Sequence, residues 1–285
     1  MNSLEKPTDK NVFDPLSGIS ADVYIFGTPV WNPTYETFKS WWDELIKRPE
    51  RRSMAICLAN AFTFNLTSRH REFRECVRSM NVVLNDGSGY RIASSTRGVR
   101  THYNFNGTDL IPRIFDELTA PIRVFFYGAT ESANEETVRK LSEKYPLLEV
   151  AGRINGYVKE SEALDAITRS NADLLLVAMG HPKQEMFMIR NQKDLNVKTV
   201  IGCGGFFDFV SGTKPRAPKK VRDWGFEWVF RLAIEPRRMF RRYVIGNPVF
   251  LIRCLWYLRR DLKLMRASDQ TKSIRSNATS ETVAD

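Results

Sequence analysis

Apolar positions along this chain follow two regimes. Up to Gly212, short apolar runs alternate with stretches in which apolar residues recur every three or four positions. Val23–Phe26, Met54–Leu58, Val82–Leu84, Arg123–Tyr127, Leu148–Ala151, Leu174–Ala178 and Val197–Ile201 read as strands. Between them Tyr35–Lys47, 63–79, Ala133–Lys144, Glu160–Ser170 and Pro182–Asp194 read as helices; the first carries Phe38, Trp41, Trp42 and Leu45 on one side. A further helix is expected from Leu110, with Asp109 as its N-cap. This alternation predicts an α/β fold, a largely parallel sheet covered by helices on both faces. Ligands of such sheets bind at the carboxyl ends of the strands. Asp86, Gly128, Gly180 and Gly202 all fall there.

After Gly212 the alternation stops. Pro218–Trp224, Glu227–Ile234, Arg237–Ile245 and Pro248–Met265 read as short helices, punctuated by Gly225, Pro236 and Gly246-Asn247-Pro248. Charge changes at the same place. The chain's formal net charge is +10, and residues 214–266 hold 15 Lys+Arg against 4 Asp+Glu, leaving 28 against 29 elsewhere. A basic excess confined to one segment implies one anionic surface rather than a chain-wide nucleic-acid footprint. Between Trp224 and Trp256 the arginines interleave with Trp228, Phe230, Leu232, Phe240, Tyr243, Val249, Phe250, Leu251 and Leu255, the composition of helices that lie in a bilayer interface. The expected organisation is a flexible leader over 1–20, an α/β catalytic domain over 21–223, a basic amphipathic helical appendage over 224–266 that associates with membrane, and a disordered tail over 267–285. No apolar segment is long enough to span a bilayer, so membrane contact would be peripheral. Cys57, Cys76, Cys203 and Cys254 are scattered and read as small buried hydrophobes, reduced in a cytoplasmic setting.

Candidate chemistry collects at the strand ends. Asp86 lies in Asn85-Asp86-Gly87: a carboxylate in such a mouth suits a general base, while Asp-Gly is equally a turn pair. The residues alone leave both readings open. Asn60 follows the Met54–Leu58 strand and reads as a helix cap. Gln184 and Glu185 open a helix whose N–H groups attract anions; Lys183 reads as a surface charge. Gly202, Gly204 and Gly205 with Asp208 form either a nucleotide-binding loop or a tight turn into a core containing Phe206, Phe207 and Phe209. No Asp-x-Asp occurs, and His70, His102 and His181 are isolated, so neither a metal nor another cofactor is expected. Cationic side chains would then neutralise a phosphate, with Arg231, Arg237, Arg238 and Arg241 as candidates.

Four segments in order carry a resemblance: Asn85-Asp86-Gly87-Ser88-Gly89, Asn106-Gly107-Thr108-Asp109-Leu110, Pro182-Lys183-Gln184-Glu185, and the block from Val200 to Tyr243. Together, from about Val23 to Tyr243, they resemble the WecG/TagA/CpsF glycosyltransferases, which build bacterial surface polysaccharides and teichoic-acid linkage units. The resemblance implies Asp86 as the catalytic base, Asn60 and Gln184 at the sugars, Gly204 and Asp208 at the nucleotide, and Arg237 and Arg238 at the diphosphate. It implies a UDP-sugar donor, a polyprenyl-diphosphate-linked sugar acceptor, an appendage that completes the site at an anionic membrane surface, and a tendency to self-associate as a homo-oligomer. Two departures stand against it. Leu58-Ala59-Asn60 lacks the threonine of the usual Thr-x-Asn, and Asn104 occupies a position where many relatives carry arginine; Arg97 or Arg100 would have to substitute.

The expected activity is therefore inverting, metal-independent transfer of an N-acetylmannosamine- or glucose-type hexose from a UDP-sugar to an undecaprenyl-diphosphate-linked sugar, at the inner face of the cell membrane. A non-enzymatic sugar-nucleotide scaffold would keep the glycine loop and the basic tail without needing Asp86. A nucleic-acid binder would leave the strand-end polar groups without a task.

Overall fold

The structure, a computed structural model, describes residue 19 and residues 21–259. The expected tail, the end of the last helix and nearly all of the expected leader lie outside the described residues. Six parallel strands form the central sheet: β3 (Met54–Ala59), β4 (Val82–Asn85), β5 (Ile122–Gly128), β6 (Leu148–Ile154), β7 (Leu174–Ala178) and β8 (Thr199–Gly202), in the order β4-β3-β8-β7-β5-β6. β3, β4, β7 and β8 are buried along their whole length, which is why they read as unbroken apolar runs. Successive residues of β3 alternate between two cores. Met54, Ile56 and Leu58 pack against α1 (Tyr35–Lys47) and α5 (Gly107–Asp116) on one face, with α6 (Glu131–Lys144) and α9 (Phe206–Ser211). Ala55, Cys57 and Ala59 meet α2 (Ala61–Arg69), α3 (Arg71–Arg78) and α4 (Ser88–Ser95) on the other, with α7 (Glu160–Arg169) and α8 (Lys183–Arg190). All four cysteines are buried and unbridged.

Several boundaries differ from the sequence reading, each for a local reason. The first strand belongs to a separate hairpin, β1 (Val23–Ile25) with β2 (Thr28–Val30), because Phe26 and Gly27 both take positive φ and turn the chain back in two residues. Trp31 then docks it beside β4, its N–H donating to Val83 O at 2.9 Å. The helical stretch over 63–79 is two helices. Thr67 and Ser68 hydroxyls bond back to Phe64 and Asn65 carbonyls, Arg74 Nε takes Thr67 O, and His70 is extended. The helix expected at Leu110 starts at Gly107, with Asn106 rather than Asp109 as its cap: Asn106 Oδ1 accepts from Thr108 N at 2.9 Å. Asp109 instead receives Arg216 at 2.7 Å and Arg222 at 3.1 Å, fastening the C-terminal segment to this helix.

That segment continues as α10 (Lys219–Asp223), α11 (Glu227–Ile234) and α12 (Pro236–Met239). The expected break at Gly246-Asn247-Pro248 does not occur. α12 runs into a π-helical turn over Phe240–Ile245 and then into an α-helix over 246–259. Pro248 cannot donate to the preceding turn, and the change of hydrogen-bond register falls just ahead of it. Phe250 and Cys254 are buried in the second core. The Phe250 ring lies tilted 5.6 Å from Phe26 and stacks 6.3 Å from Phe64, while Arg253 reaches Asn65 Oδ1 at 2.7 Å. On the outside Trp224, Phe226, Phe240, Ile252, Leu255 and Trp256 are exposed. Among the described residues no helix is long and apolar enough to cross a membrane.

Candidate active site

The carboxyl ends of β3, β4, β5, β7 and β8 open into a cleft roofed by the C-terminal helices. It holds two cavities, of about 430 and 370 Å³. The larger runs over the strand ends, past Thr130, Gly180, Gly204 and Asp208. The smaller lies between the α4 turn and the roof, against Trp228, Tyr243, Phe250 and Leu251. Asn60, Asp86, Asn106, Glu227, Arg231 and Arg242 line both.

Asp86 therefore stands in the wall common to the two cavities. Its backbone N–H extends the sheet to Ala59 O at 2.9 Å, and its Oδ2 accepts from Asn60 Nδ2 at 3.4 Å. Gly87 follows at φ +87°, where a side chain would be strained, and swings the chain out into α4. The Gly87 N–H donates to Asn104 Oδ1 at 2.7 Å. The residue standing in place of an arginine thus holds the turn beyond Asp86 and lines the smaller cavity. Neither Arg97 nor Arg100 lines either cavity.

Asn60 serves two ends at once. Its Oδ1 caps α2, accepting from Phe62 N at 3.1 Å and Thr63 N at 3.2 Å, and Thr63 Oγ1 accepts from Asn60 N in return. The amide nitrogen is consequently turned into the cleft, toward Asp86 and His181. Gln184 is fully buried. Its Oε1 accepts from Gly180 N at 3.1 Å and Gly204 N at 3.0 Å, while Nε2 donates to Glu185 Oε1 at 2.7 Å. Gln184 so ties the loops after β7 and β8 together, and a Cβ on Gly202 would lie 2.7 Å from its Nε2. Asp208 faces the larger cavity with its carboxylate on Lys214. Phe206 and Phe207 are core residues as expected, but Phe209 lines the larger cavity beneath the Arg231 guanidinium, 5.1 Å away.

Of the arginines singled out from sequence, Arg231 lines both cavities and Arg238 the larger, whereas Arg237 and Arg241 are exposed and line neither. Arg242 takes the inward position instead, 5.1 Å over the Phe62 ring, with Nε buried and without a hydrogen-bond partner among the described residues. It sits within the π turn, whose wider winding no residue pattern announces. Glu227 was also not visible from sequence; its signal was that it is one of few acids in the basic segment. Burial raises its proton affinity, against the pull of Arg216 and Arg231.

Burial likewise lifts the Asp86 carboxyl above its ordinary range, outweighing the Asn60 hydrogen bond and the nearby Arg242, His181 and Arg231. If Asp86 is the base that the resemblance implies, it must be ionised to act, and activity should fall as pH drops through this raised value. The acid limb of kcat/KM is accordingly expected clearly above the ~3.9 of a free aspartate. A pH–rate profile checks this, and a limb at or below that value would contradict it. Among the described residues, no three His, Cys, Asp or Glu side chains are gathered to hold a metal ion.

The comparisons with known proteins agree with one another. The profile of the Glycosyl transferase WecG/TagA/CpsF family matches residues 23–264. A protein of Bacillus spizizenii (strain ATCC 23059 / NRRL B-14472 / W23) is 32% identical over 193 residues, 67% of this chain and 74% of its own length. One of Bacillus subtilis (strain 168) is 35% identical over 61% of this chain and 68% of its own. One of Staphylococcus aureus (strain MRSA252) is 26% identical over 70% and 78%. All three are named N-acetylglucosaminyldiphosphoundecaprenol N-acetyl-beta-D-mannosaminyltransferase.

Proposed function

Since the chain belongs to the WecG/TagA/CpsF family and is a glycosyltransferase, we propose that it moves a neutral hexose, N-acetylmannosamine first, from a UDP-sugar to N-acetylglucosamine on undecaprenyl diphosphate. The observation that carries this reading is the position of Asp86 between two cavities. One can hold the donor and the other the acceptor, with the reacting atoms meeting at the shared wall.

In this reading the larger cavity takes UDP over the loops of Gly204 and Asp208. The smaller takes the acceptor sugar and its diphosphate, and the lipid leaves past Leu251 toward the exposed Ile252, Leu255 and Trp256. Asp86 removes the proton from the acceptor hydroxyl. The oxygen attacks the anomeric carbon opposite the diphosphate, the carbon–oxygen bond to UDP breaks, and the configuration inverts. Charge growing on the departing diphosphate is met by Arg231, Arg242 and Arg238 without a metal ion. Arg231 and Arg242, half-buried, are suited to this because charge–charge attraction strengthens as water is excluded, while Arg238 is exposed at the rim of the larger cavity. The exposed aromatic and basic face of the C-terminal helices would rest on the anionic inner surface of the cell membrane. A scaffold without catalysis is not supported, because it leaves a carboxylate desolvated at the cavity junction without a purpose.

Incubation of the protein with a short-chain polyprenyl-diphosphate N-acetylglucosamine and a series of UDP-sugars tests the proposal. UDP release is expected only when donor and acceptor are both present, fastest with UDP-N-acetylmannosamine. Absence of acceptor-dependent release with every donor would overturn it.

A further inference from the structure

One buried acid has no part in the transfer just described. Glu185, in the first turn of α8, is fully buried. Its Oε1 lies 2.8 Å from His181 Nδ1 and accepts from Gln184 Nε2 at 2.7 Å, while Oε2 has no partner among the described residues. Burying a carboxylate is costly unless its hydrogen bonds hold it in place. A carboxylate only accepts, so Nδ1 carries a proton toward Glu185, and in the neutral imidazole Nε2 keeps its lone pair. That Nε2 lies 3.5 Å from Asn60 Nδ2. The orientation of Asn60 is fixed by its cap on α2, so both amide hydrogens point into the cleft. They find two acceptors, His181 Nε2 and Asp86 Oδ2.

We propose that His181, oriented by Glu185, is a positioning residue for the base: it draws one hydrogen of the Asn60 amide and thereby aims the other at Asp86. The proposal rests on the reading of Asp86 as base. Around Asp86 the remaining titratable groups are Arg231, Arg242, Glu227 and the buried Cys57 thiol. The Phe62 ring lies 6.3 Å from the imidazole. None of these contacts the Asn60 amide as His181 does, so loss of His181 leaves Oδ1 anchored on its cap but lets the amide plane rock about that anchor. Its bond to the ionised Asp86 then weakens, and the carboxyl becomes harder to ionise.

Full-length His181→Ala and His181→Gln, compared with the unaltered protein, test this. His181→Ala is expected to lower kcat about 10- to 100-fold, the scale of a misplaced catalytic group. Its KM for the UDP-sugar should stay within about threefold, and the acid limb of kcat/KM should move upward. His181→Gln, whose amide oxygen can accept from Asn60, should recover most of both losses. An unmoved acid limb, or a loss confined to KM for the donor, would overturn the proposal. Nitrogen NMR of the histidine ring supplies a readout that needs neither turnover nor a folded variant. The resting protein should show the Nδ1–H tautomer of His181, and an Nε2–H tautomer or an imidazolium at neutral pH would defeat it. If the unaltered protein shows no acceptor-dependent UDP release, the transfer reading fails on its own, and the tautomer still decides the positioning arm.

Discussion

Asp86→Asn is expected to reduce turnover by about 10³-fold or more while leaving fold and UDP binding intact. The substitution is isosteric, and its amide oxygen can still accept from Asn60, so the junction of the two cavities keeps its shape. In the proposed transfer what disappears is the proton acceptor, whose loss alone costs about 10²- to 10⁴-fold. Stability distinguishes this from damage. The carboxyl is harder to ionise in the folded chain than free in water, so its ionised form opposes folding at neutral pH, and that opposition develops as pH rises from the free value up through the raised one. Removing the charge should therefore leave the melting temperature unchanged or higher. Turnover near normal would take Asp86 out of the mechanism, and a large fall in melting temperature would show that it serves the fold.

Ending the chain after Gly225 should abolish transfer outright. The cut removes Glu227, Arg231 and Arg242 from both cavities, together with Trp228, Tyr243 and Phe250 from the smaller one. The sheet ends with Gly204 and Asp208 remain, so weak UDP binding should survive while acceptor-dependent release does not. Sedimentation with anionic vesicles at physiological salt should also be lost, since the exposed Phe226, Phe240, Ile252 and Trp256 go with the cut. From sequence alone the shortened chain would be expected to be more soluble. Its structure argues for a balance, because Phe26 and Phe64 lose the cover of Phe250 and Tyr257, and the melting temperature should fall. Full activity in the shortened chain would exclude the C-terminal helices from the site.

The sheet was legible because its strands are apolar on both faces, a pattern that survives without knowledge of neighbours. The same holds for Asp86, Gly180 and Gly202, which punctuation by glycine placed at strand ends. Less legible were features decided by hydrogen bonds between distant residues. Asn106 rather than Asp109 caps α5, because Asp109 is taken by Arg216 and Arg222 from a hundred residues further on. α4, rich in serine, has no apolar periodicity to betray it. Asn60 read as either a cap or a site residue; its Oδ1 caps α2 while its Nδ2 faces the cleft. The arginines were the hardest. Helical spacing in a basic run cannot say which guanidinium faces in, and Arg242 does so only because the winding changes beneath it.

That change of winding has a geometric effect beyond Arg242. In an ordinary α-helix each residue advances about 100° around the axis. A turn that accommodates one extra residue between 240 and 245 acts as a phase shifter for everything downstream. It lets Arg242 point at the cleft while Phe250 and Cys254 still meet the core beneath them. Loss of a single residue here would leave composition and charge almost untouched, yet swing either the guanidinium or the aromatic anchor away from its target. The length of this short stretch, more than the identity of its side chains, is what keeps chemistry and anchorage in step.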